Sequence, residues 1–155
     1  TAADLSALLK AVVPGSAGEP AGRGVISEKS LALMATPHAS QFGADIWGLG
    51  ALLYAPTASG GFIIGHDGNN TPAINTAARV DPASGDGIVV LETGSPLLAT
   101  RLAGEWVFWQ TGVPDTLDVT REMPALIKRA LIGAVVVFAS VIGAFWLLRR
   151  RRQLS

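Results

Sequence analysis

The spacing of hydrophobic positions changes several times along the chain, and each change predicts a different element. Leu5, Leu8, Leu9 and Val12 recur at helical spacing behind Thr1-Ala-Ala-Asp4, a capping residue with an acid at the third helical position. This predicts an amphipathic helix to about Val13, ended by Pro14 and Gly15. Ser27 can cap a second short helix running to about Ala35, stopped by Thr36-Pro37. From there the runs shorten. Ile46 to Tyr54, Gly61 to His66, Ile74 to Val80 and Gly87 to Glu92 are bounded by Gly, Pro, Asn and Asp, as antiparallel strands are. Asp81-Pro-Ala-Ser-Gly-Asp-Gly87 reads as a hairpin loop, its two acids serving the turn rather than calcium, since no further ligands follow at suitable spacing. Pro96 to about Gln110 returns to helix, with Leu98, Leu102, Trp106 and Trp109 along one side as the face expected to meet the sheet. Residues 112–129, with Pro114, Pro124 and mixed charges, read as a linker. The predicted class is α+β, an antiparallel sheet flanked by helices.

The pattern changes once more after Arg129. Ala130 to Leu148 is 19 residues without a charge, and Ser140 is its one polar side chain. At helical rise it reaches roughly 28 Å, close to the ~30 Å hydrocarbon core of a bilayer. Apolar residues occupy every face, which excludes an interfacial amphipathic helix. A single transmembrane helix over 130–148 is therefore predicted, followed by a basic tail over 149–155. Four arginines follow it and two basic residues precede it, so the positive-inside rule places the tail in the cytoplasm and the preceding domain outside it.

Composition changes how the charge is understood. The 155 residues carry 12 basic and 12 acidic side chains, an apparently neutral protein. Arg149 to Arg152 account for four of the bases, however, and no acid lies beyond Glu122. An acidic domain is thus joined to a basic membrane stop, and no nucleic-acid partner is expected. The chain has no cysteine, which excludes disulfides and thiolate metal sites. No metal or other cofactor is expected. The first residue is Thr and no leader-like segment opens the chain, so either a leader has been removed or the chain belongs to a longer protein.

Few residues offer chemistry. The glycine-rich stretch over 14–24 lacks the Gly-Lys-Ser/Thr ending of a phosphate-binding loop. His38 follows a proline in a loop and reads as a solvated side chain. His66 ends an apolar run and opens His66-Asp67-Gly68-Asn69-Asn70-Thr71-Pro72, a dense polar cluster where a strand is expected to leave the sheet.

These residues also carry a resemblance. Thr1-Ala-Ala-Asp4-Leu5, Leu33-Met34-x-x-Pro37, Trp47-Gly48-Leu49-Gly50, Gly65-His66-Asp67-Gly68 and Ile88-Val89-Val90-Leu91, in that order, resemble the C-terminal part of the serine beta-lactamase and penicillin-binding-protein-like hydrolases. The similarity covers about residues 1–111 and is greatest to the esterase and peptidase branch related to class C beta-lactamases. It implies that His66-Asp67-Gly68 is the third active-site box, His-x-Gly, on the strand edging the catalytic cleft. His66 would then bind substrate or tune the proton network around the nucleophile, which an imidazole titrating near neutrality can do. Gly68 would leave room for substrate along the strand. The Asn69 backbone N–H would be an oxyanion donor. Asp67 replaces the hydroxyl residue of the Lys-Thr-Gly form and, with Asn70, would contact substrate, favouring an ester, amide or peptide over a penicillin. Asn69-Asn70-Thr71 is formally a glycosylation sequon, but a place in the cleft argues against its use.

The same resemblance marks what the chain lacks. No Ser-x-x-Lys, Tyr-x-Asn or Gly-x-Ser-x-Gly occurs: Ser6 precedes Lys10 by four positions, Ser30 occupies the third place after Ser27, and Ala55-Pro56 follow Tyr54. The expectation is the C-terminal part of a membrane-anchored serine hydrolase, partnered by an upstream part of the same domain that supplies the nucleophile. Alternatively, the fold is kept as an inactive membrane-tethered binding or scaffold module.

Overall fold

The structure, a computed structural model, describes residues 1–70 and 74–152. Two features of the sequence extend beyond them: Thr71 and Pro72 of the polar cluster, the former also the third position of the sequon, and residues 153–155 of the tail. The chain divides into two units, Thr1–Thr120 and Arg121–Ser155.

In the first unit, Thr1 opens helix α1 (Ala2–Val12) with the expected capping box. The Asp4 amide donates to Thr1 Oγ1, and the Asp4 carboxylate accepts from the Thr1 amine. Helix α2 (Glu28–Met34) is capped by Ser27, whose Oγ accepts from the Ser30 amide. Six antiparallel strands follow in sequence order, β1 (Ala39–Gln41), β2 (Ala44–Trp47), β3 (Leu52–Pro56), β4 (Phe62–Asn70), β5 (Ile74–Val80) and β6 (Gly87–Thr93), forming one meander. The α+β class holds for this unit, with two strands more than the pattern predicts. The run from Ile46 to Tyr54 is two strands, because Gly48 to Ala51 turn the chain and Trp47 pairs back with Leu52. The other added strand is β1, and β4 is longer than expected. Its polar half continues in register with β5 as far as Asn70↔Ile74, where a loop is expected. Cross-strand pairing overrides the low strand propensity of Gly, Asn and Asp there.

The sheet buries both faces. Ile46, Leu52, Tyr54, Ile63, Val107 and Leu117 form one cluster, and Val13, Ala51, Leu53, Ile64 and Val80 form another. Leu52 and Tyr54 thus face one way and Leu53 the other, as strand geometry requires. Asp81 organises the β5–β6 turn: its carboxylate accepts from the Ala83 amide and its carbonyl from the Gly85 amide.

Helix α3 (Leu98–Thr111) corrects the expected core stripe. It buries Ala99, Thr100, Ala103, Gly104 and Val107, leaving Leu102 and Trp109 exposed. Ala99 and Ala103 pack on Ala77 of β5, with Ile88 and Val90 alongside. Small side chains let the helix lie close to the sheet, and that choice outweighs burial of the larger residues.

Helix α4 (Thr116–Arg152) begins inside the segment expected to be a linker. The first unit continues to Thr120, rather than stopping near residue 111, because Leu117 enters its core and Thr116 Oγ1 donates to the Leu53 and Tyr54 carbonyls at a β3 bulge. In the second unit, α4 is long and apolar enough to cross a membrane, and its apolar window is not buried within the protein. Ser140 donates to the Val136 carbonyl one turn back, so its hydroxyl would carry no unmet hydrogen bond into lipid.

Candidate functional site

β4 divides at Gly65. Up to it, Phe62 to Gly65 pair with β3, and Ile64 and Gly65 pair with β5 as well; after it, His66 to Asn70 pair with β5, and among the described residues no strand covers their other edge. Gly65 itself is forced. A Cβ there would lie 2.0 Å from the Ala78 carbonyl oxygen, a backbone atom that cannot yield.

Alternation along this half-exposed stretch separates the predicted site residues. His66 and Gly68 line a cavity of about 390 Å³ on the face toward α1 and α2, with Thr76 and Ala78 of β5 beside them. His66 is exposed, and its Nδ1–H donates to the Asp67 carbonyl at 2.7 Å. That bond fixes the tautomer and leaves Nε2 as the ring atom available for chemistry. Asn69 and Asn70 are exposed on β4, opposite Asn75 and Ile74.

Gly68 has a constraint of its own, since a Cβ would approach Thr76 Oγ1 to 2.5 Å. Gly68→Ala should therefore destabilise the domain by about 1–3 kcal/mol through overpacking. In a Thr76→Ala background, where that oxygen is gone, the same change should cost under about 1 kcal/mol. Unfolding curves of the detergent-solubilised chain test this; equal costs in both backgrounds would show that Thr76 is not the obstacle.

Asp67 also borders the cavity, but its carboxylate is turned to the other face, onto Arg79 and Tyr54. Its side chain is 5% exposed and meets Arg79, itself fully buried, at 3.0 Å. The Tyr54 hydroxyl donates to Asp67 Oδ1 at 2.9 Å, and the Arg79 guanidinium stacks over the Tyr54 ring, 3.8 Å from its centroid. Arg79 also donates to Asp115 and, at 3.3 Å, to the Thr100 carbonyl. The other oxygen of Asp115 accepts from the Leu117 amide at 2.8 Å and the Asp118 amide at 3.4 Å, capping α4. One arginine therefore ties β3, β4, α3 and the start of α4 together.

The electrostatics follow from burial and proximity. Burial works against the Arg79 charge, but Asp115 and Asp67 outweigh it and hold the guanidinium protonated more firmly than usual. Burial and then the Asp67 charge push the Tyr54 phenol upward, so it remains a donor. Burial also raises the Asp115 carboxyl, by more than Arg79 lowers it. The two partners thus record opposite sides of one balance, the gain from pairing and the cost of desolvation. The guanidinium contact and two amide donors favour the ionised Asp115 carboxylate, against the larger effect of burial.

Asn75 is a second residue that sequence reasoning misses. It is fully buried on β5, donates to the Gly68 carbonyl at 3.0 Å, and accepts from the Ala99 amide at 2.7 Å and the Thr100 amide at 3.3 Å. Helix α3 opens on Leu97, which has no capping side chain, so Asn75 caps it from the sheet. Asn75→Ala should lower stability by about 2–4 kcal/mol, because buried amides and a carbonyl lose their partner together. A loss below about 1 kcal/mol in chemical unfolding would argue that water replaces the side chain.

Among the described residues no group of three or more His, Cys, Asp or Glu side chains could hold a metal ion. No family model, curated protein or solved structure matches the chain.

Proposed function

We propose that the chain is the C-terminal part of a membrane-anchored serine hydrolase that acts on an ester, amide or peptide bond through an acyl-enzyme. The observation that carries this reading is the setting of His66 and Gly68: same-face neighbours on β4, lining one cavity, where β3 pairing ends at Gly65 and no other strand among the described residues takes its place. A substrate carbonyl lying along that edge meets an imidazole, a glycine that leaves space, and the Asn69 amide in the place the sequence resemblance gives to an oxyanion donor. His66 Nε2 supplies the hydrogen-bonding or charged group, while Nδ1 is committed to the strand. Asp67 acts on this site by positioning β4 from the opposite face rather than by contacting substrate.

The reading needs a serine from a segment outside these 155 residues, since the chain contains neither Ser-x-x-Lys nor a nucleophile elbow. Arg149 to Arg152 orient α4 with its C-terminal end in the cytoplasm, leaving the hydrolase domain outside it. A fluorophosphonate probe applied to the full-length protein should label one serine, located outside residues 1–155. Complete absence of labelling would overturn the hydrolase and favour a tethered binding module of the same fold.

A further inference from the structure

We infer that the cavity between the sheet and helices α1 and α2 is an acyl-chain site, and that the preferred substrate carries an aliphatic chain on its carbonyl. The inference rests on the hydrolase reading for the chemistry and on the cavity's own gradient for the ligand class. Its floor is the β4–β5 pair. At one end lie Ile64 and Val80, opposite each other in register; at the other lie Gly68 and Thr76, also in register, with His66 between. Four residues of strand separate the two ends, about 13 Å. The walls over the apolar end are apolar side chains, Leu9, Val12 and Met34, packed with Ile64 and Val80.

A volume of about 390 Å³ is that of a small-molecule site. Water in it would find almost no partners along the aliphatic walls, so an apolar chain displaces it at a gain. Continuity with His66 and Gly68 selects a substrate chain over a protein segment as the occupant, because a chain threaded from Ile64 toward Gly68 delivers its carbonyl to the open edge of β4. Leu8, 62% exposed, and Ile26, 40% exposed, form the outer rim over which such a chain would enter. The reaction is acyl transfer without redox change: the serine oxygen bonds the acyl carbon, the alcohol leaves with a proton, and water then releases the fatty acid.

The test uses full-length protein in lipid nanodiscs, free of competing detergent, with p-nitrophenyl acetate, butyrate, hexanoate and octanoate. kcat/KM should rise by up to about fourfold per added methylene. Leu8→Ser, at a position exposed enough to leave folding intact, should lower the octanoate-to-acetate ratio severalfold. Turnover of all four esters at similar rates would overturn the acyl site while leaving the hydrolase reading standing, and would mean that protein fills the cavity. Octanoate binding supplies a readout independent of turnover. Octanoate, and not acetate, should shift the His66 imidazole resonances. That shift without hydrolysis or serine labelling would keep the acyl site and remove the hydrolase; no shift would overturn the site directly.

Discussion

Arg79→Met should lower the unfolding free energy of the first unit by about 3–5 kcal/mol, as removal of one member of a buried ion cluster does. The methionine covers much of the same volume, so a cavity is not the main cost. What remains is two carboxylates, Asp67 and Asp115, at side-chain exposures of 5% and 2%, without the cation that both contact. The Tyr54 hydroxyl still donates to Asp67, and the Leu117 and Asp118 amides still donate to Asp115, but none of these carries a compensating charge. A triple variant, Arg79→Met with Asp67→Asn and Asp115→Asn, separates the two components. It removes the stranded charges while keeping a side-chain oxygen to cap α4, and should recover at least half of the loss. Equilibrium unfolding of the detergent-solubilised chains, followed by tryptophan fluorescence, measures both. If Arg79→Met costs less than about 1 kcal/mol, or the triple variant is no more stable than the single one, the cluster is not an uncompensated-charge problem.

That cluster also marks the limit of what the sequence discloses. The helix caps at Thr1 and Ser27, the β5–β6 hairpin and the apolar helix are local signals, complete within a few residues, and each is legible. Arg79 is not local. Its partners lie 12 and 36 positions away, and by apolarity alone β5 should bury Ile74 rather than Asn75 and Arg79; the structure does the reverse, leaving Ile74 51% exposed. One signal was present: Asn75, Ala77 and Arg79 share a strand face, and a small residue between two polar ones suits a buried network under a close-packed helix. Pro114-Asp115-Thr116 likewise contains a helix cap that the expected linker obscured. In the candidate site, His66 and Gly68 were legible as a pair, whereas the inward turn of Asp67 was not. Its orientation follows from alternation along a strand whose polar half reads as loop.

His66→Ala in the full-length protein should slow acylation roughly 10²- to 10⁴-fold, the range for a positioned proton-handling group, while leaving the fold intact. Folding should survive because the ring is exposed and makes one described hydrogen bond, to the carbonyl of its own neighbour. His66→Lys tests what the ring supplies. A lysine restores a cationic donor at the same strand position but cannot reproduce an imidazole fixed through Nδ1 to the Asp67 carbonyl, so it should recover part of the rate and change its pH profile. The measurement is the second-order rate of fluorophosphonate labelling across pH, beside an unfolding curve for each variant. An unchanged labelling rate in His66→Ala would remove the residue from the site. A slow rate with normal unfolding, partly restored by lysine, would assign it there. The Arg79 prediction bears on the same ring: Asp67 receives the imidazole through its backbone and Arg79 through its side chain, so the buried cluster holds the site strand from behind. In Arg79→Met, labelling under conditions where the domain remains folded should fall as well, and by less than in His66→Ala, because positioning is loosened while the imidazole remains.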